Sequence, residues 1–217
     1  MAPAKKPYKT CFLGDACLLW SIGGTIALPT SRKLLFVYRK LKEDERLRAL
    51  GVRDLVPSYT SLAVHADALS DWAAIRRMVD RCFDSLPGAA AELGPAGLRH
   101  VLPVSYRGED LPRVAKFTGL TQEEIIRRHT APEYMVAMIG FRPHFPYLIG
   151  LDPRLATPRL DSPRVKVPAG AVGIGGEQTG VYPEESPGGW NLLGTTDAGL
   201  LTTVRPGDTI IFKRLPA

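Results

Sequence analysis

"RVKVPAGAVGIGGEQTGVYP", residues 164–183, decides the fold. Short runs of β-branched residues alternate with Pro-Ala-Gly and Gly-Gly turns. The same punctuation continues through "WNLLGTT" (190–196), the Arg-Pro-Gly-Asp turn at 205–208 and "TIIFKR" (209–214). Short strands with such dense turn signals imply a sandwich or barrel. The run also invites a phosphate-loop reading, because Gly175 and Gly180 enclose four residues. A phosphate loop continues with Lys and then Ser or Thr, whereas Val181 and Tyr182 follow here and no helix is expected after them. The stretch reads as a glycine-rich β-turn beside a bulge.

The first half alternates elements. Ala16–Gly23 is a short apolar strand, and a helix is expected from about Thr30 to Leu50, capped by Thr30 or Ser31 and stopped at Gly51. "VRDLVPSYTSLAVHAD" (52–67) forms two extended pieces broken at Pro57. Trp72, Ile75, Val79, Cys82, Phe83 and Leu86 make one helical stripe behind Ser70 as cap. With the strand "RHVLPVSY" (99–106), this order suggests helices layered on an antiparallel sheet. "PGAAAELGPAG" (87–97) is the candidate boundary. Beyond it come two short helices, the second opened by a Thr121–Glu124 capping box, and then the strand "EYMVAMIGF" (133–141).

Composition narrows the classes. The chain has 217 residues, 45% hydrophobic and 23% charged, as ordinary globular proteins do. No apolar run reaches the ~18 residues of a membrane span. The basic N-terminus lacks an unbroken apolar stretch with a small-residue cleavage site, so no signal peptide is expected. Cys11, Cys17 and Cys82 form no C-x-x-C pair, which favours reduced thiols and a cytoplasmic setting. The net charge of +6 is densest in 31–48, where Leu34, Leu35, Tyr38 and Leu41 fit one helical face. That region reads as a solvated helix face, and no nucleic-acid-binding motif accompanies it.

"GFRPHFPYLIGLD" (140–152) combines three rings with Pro143 and Pro146, which lack an N–H and fix φ, so an irregular segment is expected. None of His65, His100, His129 and His144 has metal-ligand spacing, and His65 and His129 read as structural. Ser186 precedes a Pro-Gly-Gly turn but lacks the G-x-S-x-G context of a nucleophile elbow. Cys82 sits on a buried helix face, where thiols are inert. One constellation persists: Arg142, Arg154, Arg159, Arg164 and Lys166 against only Asp152 and Asp161. Guanidinium groups beside rings suit a carboxylate or phosphate, and they equally suit solvation of a proline-rich loop.

The run from Gly140 to Thr196 closely resembles the signature of the 5-oxoprolinase B subunit family. That family is also described as allophanate hydrolase subunit 1 and includes Kip-type inhibitors of a histidine kinase. The likeness extends to "VPSYTSLAVHAD", "EEIIRRHTAPEYMVAMIGF" and "VRPGDTIIF", and so covers almost the whole chain. It implies an α+β protein, with a small α/β N-terminal domain (1–92) of helices on an antiparallel sheet and a cyclophilin-like β-barrel (93–217). It implies two partners, the 5-oxoprolinase C subunit (similar to allophanate hydrolase subunit 2) and the A subunit. It also implies ATP with Mg at the level of the complex, coupled to opening of 5-oxoproline into glutamate. No role for nucleic acid or membrane follows. The family pattern usually has Pro-Gly-Phe where this chain has Pro143-His144-Phe145. It also has a longer glycine-rich run where this chain has "YRGEDL" (106–111), with Arg107 replacing the first glycine.

No catalytic acid or base is assigned by the resemblance, and no metal ligand. The groove candidates are Arg142, His144, Phe145, Tyr147, Asp152, Arg154, Gln178, Thr179, Tyr182, Ser186 and Trp190. In the enzyme reading Arg142 or Arg154 binds a carboxylate or phosphoryl group, Gln178 and Thr179 bond a lactam amide, and Tyr147 and Trp190 form apolar walls. In the alternatives the chain is a regulatory module, such as an inhibitor of a sensor histidine kinase, or part of an allophanate- or urea-carboxylating enzyme. In the plainest reading the rings plug the barrel end.

Overall fold

The computed structural model describes residues 6, 8–86 and 97–216. The candidate boundary therefore lies outside the described residues, apart from Gly97. The chain divides into two compact units, Met1–Pro95 and Ala96–Ala217.

In the first unit four strands, β1 (Lys9–Phe12), β2 (Cys17–Ser21), β3 (Val52–Pro57) and β4 (Ser61–Ala66), pair antiparallel in the order β1-β2-β4-β3. Alternation places Leu18, Trp20, Leu62 and Val64 in the core with Leu34, Val37 and Leu41 of α1 (Leu28–Lys42), and with Ile75, Val79 and Phe83 of the helix at Trp72–Asp84. The long helix differs from the expected one. It starts at Leu28 because Pro29, lacking an N–H, fits the first turn, and the cap position Ala27 makes no side-chain bond. Ser31 lies inside it, buried, and its hydroxyl donates to the Tyr59 carbonyl at 2.6 Å. The helix also breaks before Gly51. Asp44 accepts from the Arg46 amide at 3.1 Å and opens α2 (Glu45–Ala49). In α3 (Trp72–Asp84) the cap is Asp71, bonded to the Ala74 amide at 2.9 Å, in place of the expected Ser70.

In the second unit seven strands form one sheet in the order β12-β9-β10-β7-β6-β13-β5. They are β5 (Arg99–Val104), β6 (Tyr134–Ile139), β7 (Pro146–Ile149), β9 (Ala171–Gly175), β10 (Gln178–Val181), β12 (Asn191–Thr195) and β13 (Thr209–Arg214). β8 (Arg164–Val167) and β11 (Ser186–Gly188) pair separately. The strand at 99–104 thus joins this sheet, parallel to β13, and is not part of the N-terminal layer. It is the edge of the ladder, where Pro103 costs no bond to a further strand. The seven strands nearly close on themselves. Ser105 and Thr195 exchange amide bonds at 2.9 and 3.0 Å, and the Gly108 and Asp110 amides donate to Leu193 and Leu192 of β12 at 3.0 and 3.1 Å. Two helices, α4 (Leu111–Thr118) and α5 (Gln122–Thr130), pack against this sheet. Thr121 caps α5 through its hydroxyl, but the Glu124 carboxylate turns to Arg128 instead of completing the capping box.

The segment 140–152 is less irregular than its prolines suggest. Pro146 is the first residue of β7, a position that needs no ladder N–H, and β7 runs inside the sheet between β6 and β10. Only 140–145 is a turn. Both Phe141 and His144 adopt φ of 66°, the left-handed region that favours glycine.

The glycine-rich run is the β9–β10 hairpin, turned at Gly176–Glu177. Its period of two gives it unlike faces. Val172, Ile174 and Val181 fill the barrel core with Val136, Leu148, Leu193 and Phe212, while Gly173, Gly175 and Gly180 lie on the other face. There they leave room for rings. A Cβ on Gly175 would stand 2.5 Å from Cδ1 of Trp190, and one on Gly180 would stand 2.7 Å from the Pro146 carbonyl. Gly175→Ala is therefore expected to lower unfolding free energy by about 2 kcal/mol in urea titrations, as overpacking does.

Candidate functional site

Phe145, Tyr182 and Trp190 pack over the glycine face with Val167, Ala171 and Leu192, and Tyr147 joins them half-buried. Phe145 meets Tyr182 and Trp190 edge-on, at centroid distances of 5.2 and 5.6 Å. Phe145 is 1% exposed and Trp190 is 4% exposed. Phe145, Tyr182 and Trp190 are thus filling, and of these four rings Tyr147 alone is partly exposed. The glycine run holds rings where a phosphate would need bare backbone.

The structure divides the expected groove residues outside the filling rings into three groups and sets Thr179 apart from all of them. On the outer sheet face, Gln178 stands opposite Gly175, and Tyr147 stands opposite Gly180. The Thr157–Gly176 bridge, with amide bonds of 3.2 and 2.8 Å, brings the segment around Arg159 to the same hairpin. The Arg159 guanidinium then lies 5.7 Å from the Trp190 ring centroid. Its charge also reaches two phenols: burial raises the Tyr147 and Tyr182 pKa values, and Arg159 opposes the rise in both. Gln178, Tyr147, Trp190 and Arg159 form one corner.

The second group flanks the rings. Phe141 stacks edge-on against Phe145 at 5.6 Å, and Arg142 pairs with Glu184 at 3.5 Å. His144 is exposed on the same turn. Ser186 pairs with Val167, and its buried hydroxyl finds no partner among the described residues. The third group lies apart. Asp152 accepts from the Arg154 amide at 2.9 Å and from Arg128 at 2.7 Å, which together hold its carboxyl below the usual range. Arg128 also binds Glu124, so Asp152 belongs to an ion-pair group on α5, which Arg154 joins through its backbone amide alone.

Thr179 separates from Gln178 because adjacent strand residues face opposite ways. It is fully buried and donates to the Gly173 carbonyl at 3.0 Å. Its single proton being used there, Thr179 accepts from Nε2 of His129 at 2.9 Å. Nδ1 of His129 then accepts from the Tyr106 hydroxyl at 2.7 Å, and the Tyr134 hydroxyl donates to the His129 carbonyl at 2.8 Å. Burial without an anionic partner lowers the His129 pKa to about 3 and raises those of Tyr106 and Tyr134. This closed polar chain is interior structure, and a Thr179 hydroxyl so placed does not reach a ligand on the outer face.

Of the five cations in 142–166, Arg164 binds Glu109 and Asp110 at 2.8 Å each, and Lys166 binds Glu185 at 3.0 Å. With Arg142 on Glu184, only Arg154 and Arg159 lack an ion pair among the described residues, and Arg159 alone sits in the ring corner. It belongs to the cation constellation legible in the sequence, but nothing in the pattern singles it out from its neighbours. Arg113 and Asn191, which adjoin the corner, carry no sequence signal of that kind.

The sequence matches the family profile of the carboxyltransferase domain, subdomain C and D, over residues 8–208. It is 40% identical over 183 residues to the 5-oxoprolinase B subunit of Bacillus subtilis (strain 168), covering 76% of each chain. It is 36% identical over 211 residues to the protein of the same name from Haemophilus influenzae, covering 92% of this chain and 94% of that one. The crystal structure of TTHA0988 superposes with a TM-score of 0.77 at 34% identity, over 93% of this chain, which spans 40% of that longer chain. The Kluyveromyces lactis urea amidolyase, at 18% identity and a TM-score of 0.73, shares the fold. The chain belongs to the carboxyltransferase subdomain C and D family, together with proteins named as the B subunit of 5-oxoprolinase.

Two outcomes follow from this geometry. The His129 imidazole is expected to stay neutral, protonated at Nε2, throughout pH 4.5–8 in nitrogen NMR spectra. Because its folded pKa lies below its unfolded one, its contribution to stability is complete above about pH 6.5. It falls by up to about 1.4 kcal/mol per unit as the pH drops toward 3. Separately, His144→Val is expected to destabilise by about 1–2 kcal/mol through its left-handed backbone, and His144→Gly to change stability by less than about 1 kcal/mol, both read by urea denaturation.

Proposed function

We propose that this chain is the B subunit of an ATP-dependent 5-oxoprolinase, opening 5-oxoproline to glutamate in a cytoplasmic complex with the A and C subunits. The observation that carries the substrate side is Arg159, a guanidinium without a carboxylate partner among the described residues, set on the Trp190 ring. The relatives named as 5-oxoprolinase B subunits, over most of both chains, support the assignment. No helix is long and apolar enough to cross a membrane among the described residues.

In this reading the 5-oxoproline carboxylate pairs with Arg159 through two parallel N–H···O bonds. The apolar edge of the lactam ring lies against the partly exposed Tyr147, beside the Arg159 guanidinium. Gln178, on the same sheet face, offers an amide whose N–H and C=O match the lactam C=O and N–H. These groups bind and orient, and the ring cluster beneath them keeps water from one side. The glycine hairpin is filled by rings and lacks the Lys and Ser or Thr of a phosphate loop, so its residues do not fit ATP with Mg. We place nucleotide binding on another protein of the complex.

A second reading, as part of a urea-carboxylating enzyme, draws on 32% identity over 98 residues to a putative urea carboxylase of Emericella nidulans, of which the match covers 8%. The two readings separate in one assay. Reconstituted with the A and C subunits, the wild-type chain is expected to support ADP release that depends on 5-oxoproline and not on urea. Arg159→Gln is expected to raise the KM for 5-oxoproline at least tenfold, the loss of one charged hydrogen-bonded pair. An unchanged KM in this variant would remove Arg159 from the site.

A further inference from the structure

Arg159 is exposed, in a stretch (158–160) that belongs to no helix or strand. An arginine on a loose loop loses backbone and rotamer freedom when it binds, and affinity falls by that cost. Here the backbone on both sides is already held. Thr157 exchanges amide bonds with Gly176, and the Leu160 amide donates to the Gly189 carbonyl at 2.7 Å. Between these two anchors lies the peptide that joins Pro158 to Arg159.

The carbonyl of that peptide accepts two side-chain donors. The Asn191 amide donates to it at 3.0 Å, and Nη1 of Arg113, on α4, donates at 3.3 Å. Asn191 is fully buried and also donates to the Ile174 carbonyl at 3.1 Å. Its side-chain oxygen accepts from the same Nη1 of Arg113. With the amide reversed, its N–H groups would face the guanidinium, donor against donor, so Arg113 fixes which way Asn191 points. Trp190 and Asn191 are adjacent and face opposite ways. Arg113 and the Asn191 amide therefore hold the segment from behind, while the Arg159 guanidinium lies over the Trp190 ring on the outer face.

We propose that Arg113 is a positioning residue for Arg159. It acts through the Pro158 carbonyl and the Asn191 amide, and it touches no ligand itself. Both of its acceptors are neutral, so its bonds are charge-assisted on the donor side only, and they order one peptide plane. Arg159 then meets a carboxylate from a backbone already set, and the cost of ordering falls on folding instead of on binding. The identity of the ligand rests on the reading above, but the positioning of Arg159 does not.

A double-mutant cycle in the complex reconstituted with the A and C subunits tests this. Arg113→Gln is expected to raise the KM for 5-oxoproline about fivefold, the worth of one anchoring hydrogen bond, and to move kcat by less than about twofold. In an Arg159→Gln background the same substitution is expected to change KM by less than about twofold, because the group it positions is gone. Arg113→Lys keeps a charged donor without the fork and is expected to restore part of the loss; it also serves if the glutamine variant melts early. An unchanged KM in folded Arg113 variants, or the same rise with and without Arg159, overturns the proposal. A second readout needs no substrate. The indole N–H resonance of Trp190, identified by its absence in Trp190→Phe, is expected to shift in Arg159→Gln as the cation leaves the ring. Arg113→Gln is expected to shift it in the same direction when Arg159 is present and hardly at all when it is absent. If the complex does not turn over 5-oxoproline, the substrate reading falls while non-additive shifts keep Arg113 as the positioning residue. Equal shifts in both backgrounds overturn the positioning and leave the substrate reading standing.

Discussion

The C-terminal unit depends on a seam of backbone against backbone. Residues 105–110 run along β12, and the amides of Ser105, Gly108 and Asp110 find their acceptors there. The seam admits no side chains. A Cβ on Gly108 would fall on the Leu192–Gly194 main chain, and one on Gly194 would stand 3.0 Å from Cα of Tyr106. Asp110 then fastens the seam from within, accepting from the Leu192 amide at 2.7 Å and from Arg164 at 2.8 and 2.9 Å. An open sheet edge would expose unpaired amides, and closure gives them partners.

A closed sheet has an inside and an outside, and the strand period assigns every residue to one of them. Inside, the His129 chain shows what a sealed interior demands. Each polar atom has a partner, and the imidazole stays neutral because a buried charge would have none. Outside, glycines let rings press onto the sheet, and the ring surface in turn carries the cations. The proposed corner lies on the face where charge can meet solvent and ligand, next to a closely packed ring layer. That arrangement suits binding and orientation by fixed groups more than any nucleophile.

Much of this was legible in advance. The turn-rich third of the chain announced a sandwich or barrel, the alternating first half announced helices on an antiparallel sheet, and the family signature chose the barrel. One error was long-range, since the strand at 99–104 pairs with β13 at the far end of the chain, and the others had local causes. Ser31 looked like a cap, but Pro29 is better placed in a first turn, and Ser31 instead satisfies a buried carbonyl. Asp44 could end one helix and begin another only because its carboxylate reached the Arg46 amide. Pro146 seemed to forbid a central strand, yet it needed only to stand first in one. The glycine that the family resemblance led one to expect at position 144 has a plain meaning here: the backbone is left-handed at His144, so a side chain there bears on turn strain before it bears on any ligand.

The sequence by itself determined the turn-rich strand pattern of the last third, the Thr121 cap, the family and the set of cations, because periodicity, capping and turn chemistry act over a few residues. It did not determine which cation is available. Arg142, Arg159 and Arg164 look alike in a string, and their difference lies in Glu184, Glu109 and Asp110, each brought from elsewhere by the fold. Likewise Gln178 and Thr179 are neighbours in sequence and opposites in space. Only the closed sheet, with its two faces and its seam, decided that one stands on the outer face and the other in a sealed core. Charge pairing and facing are long-range facts, and they exist only once the chain has returned to meet itself.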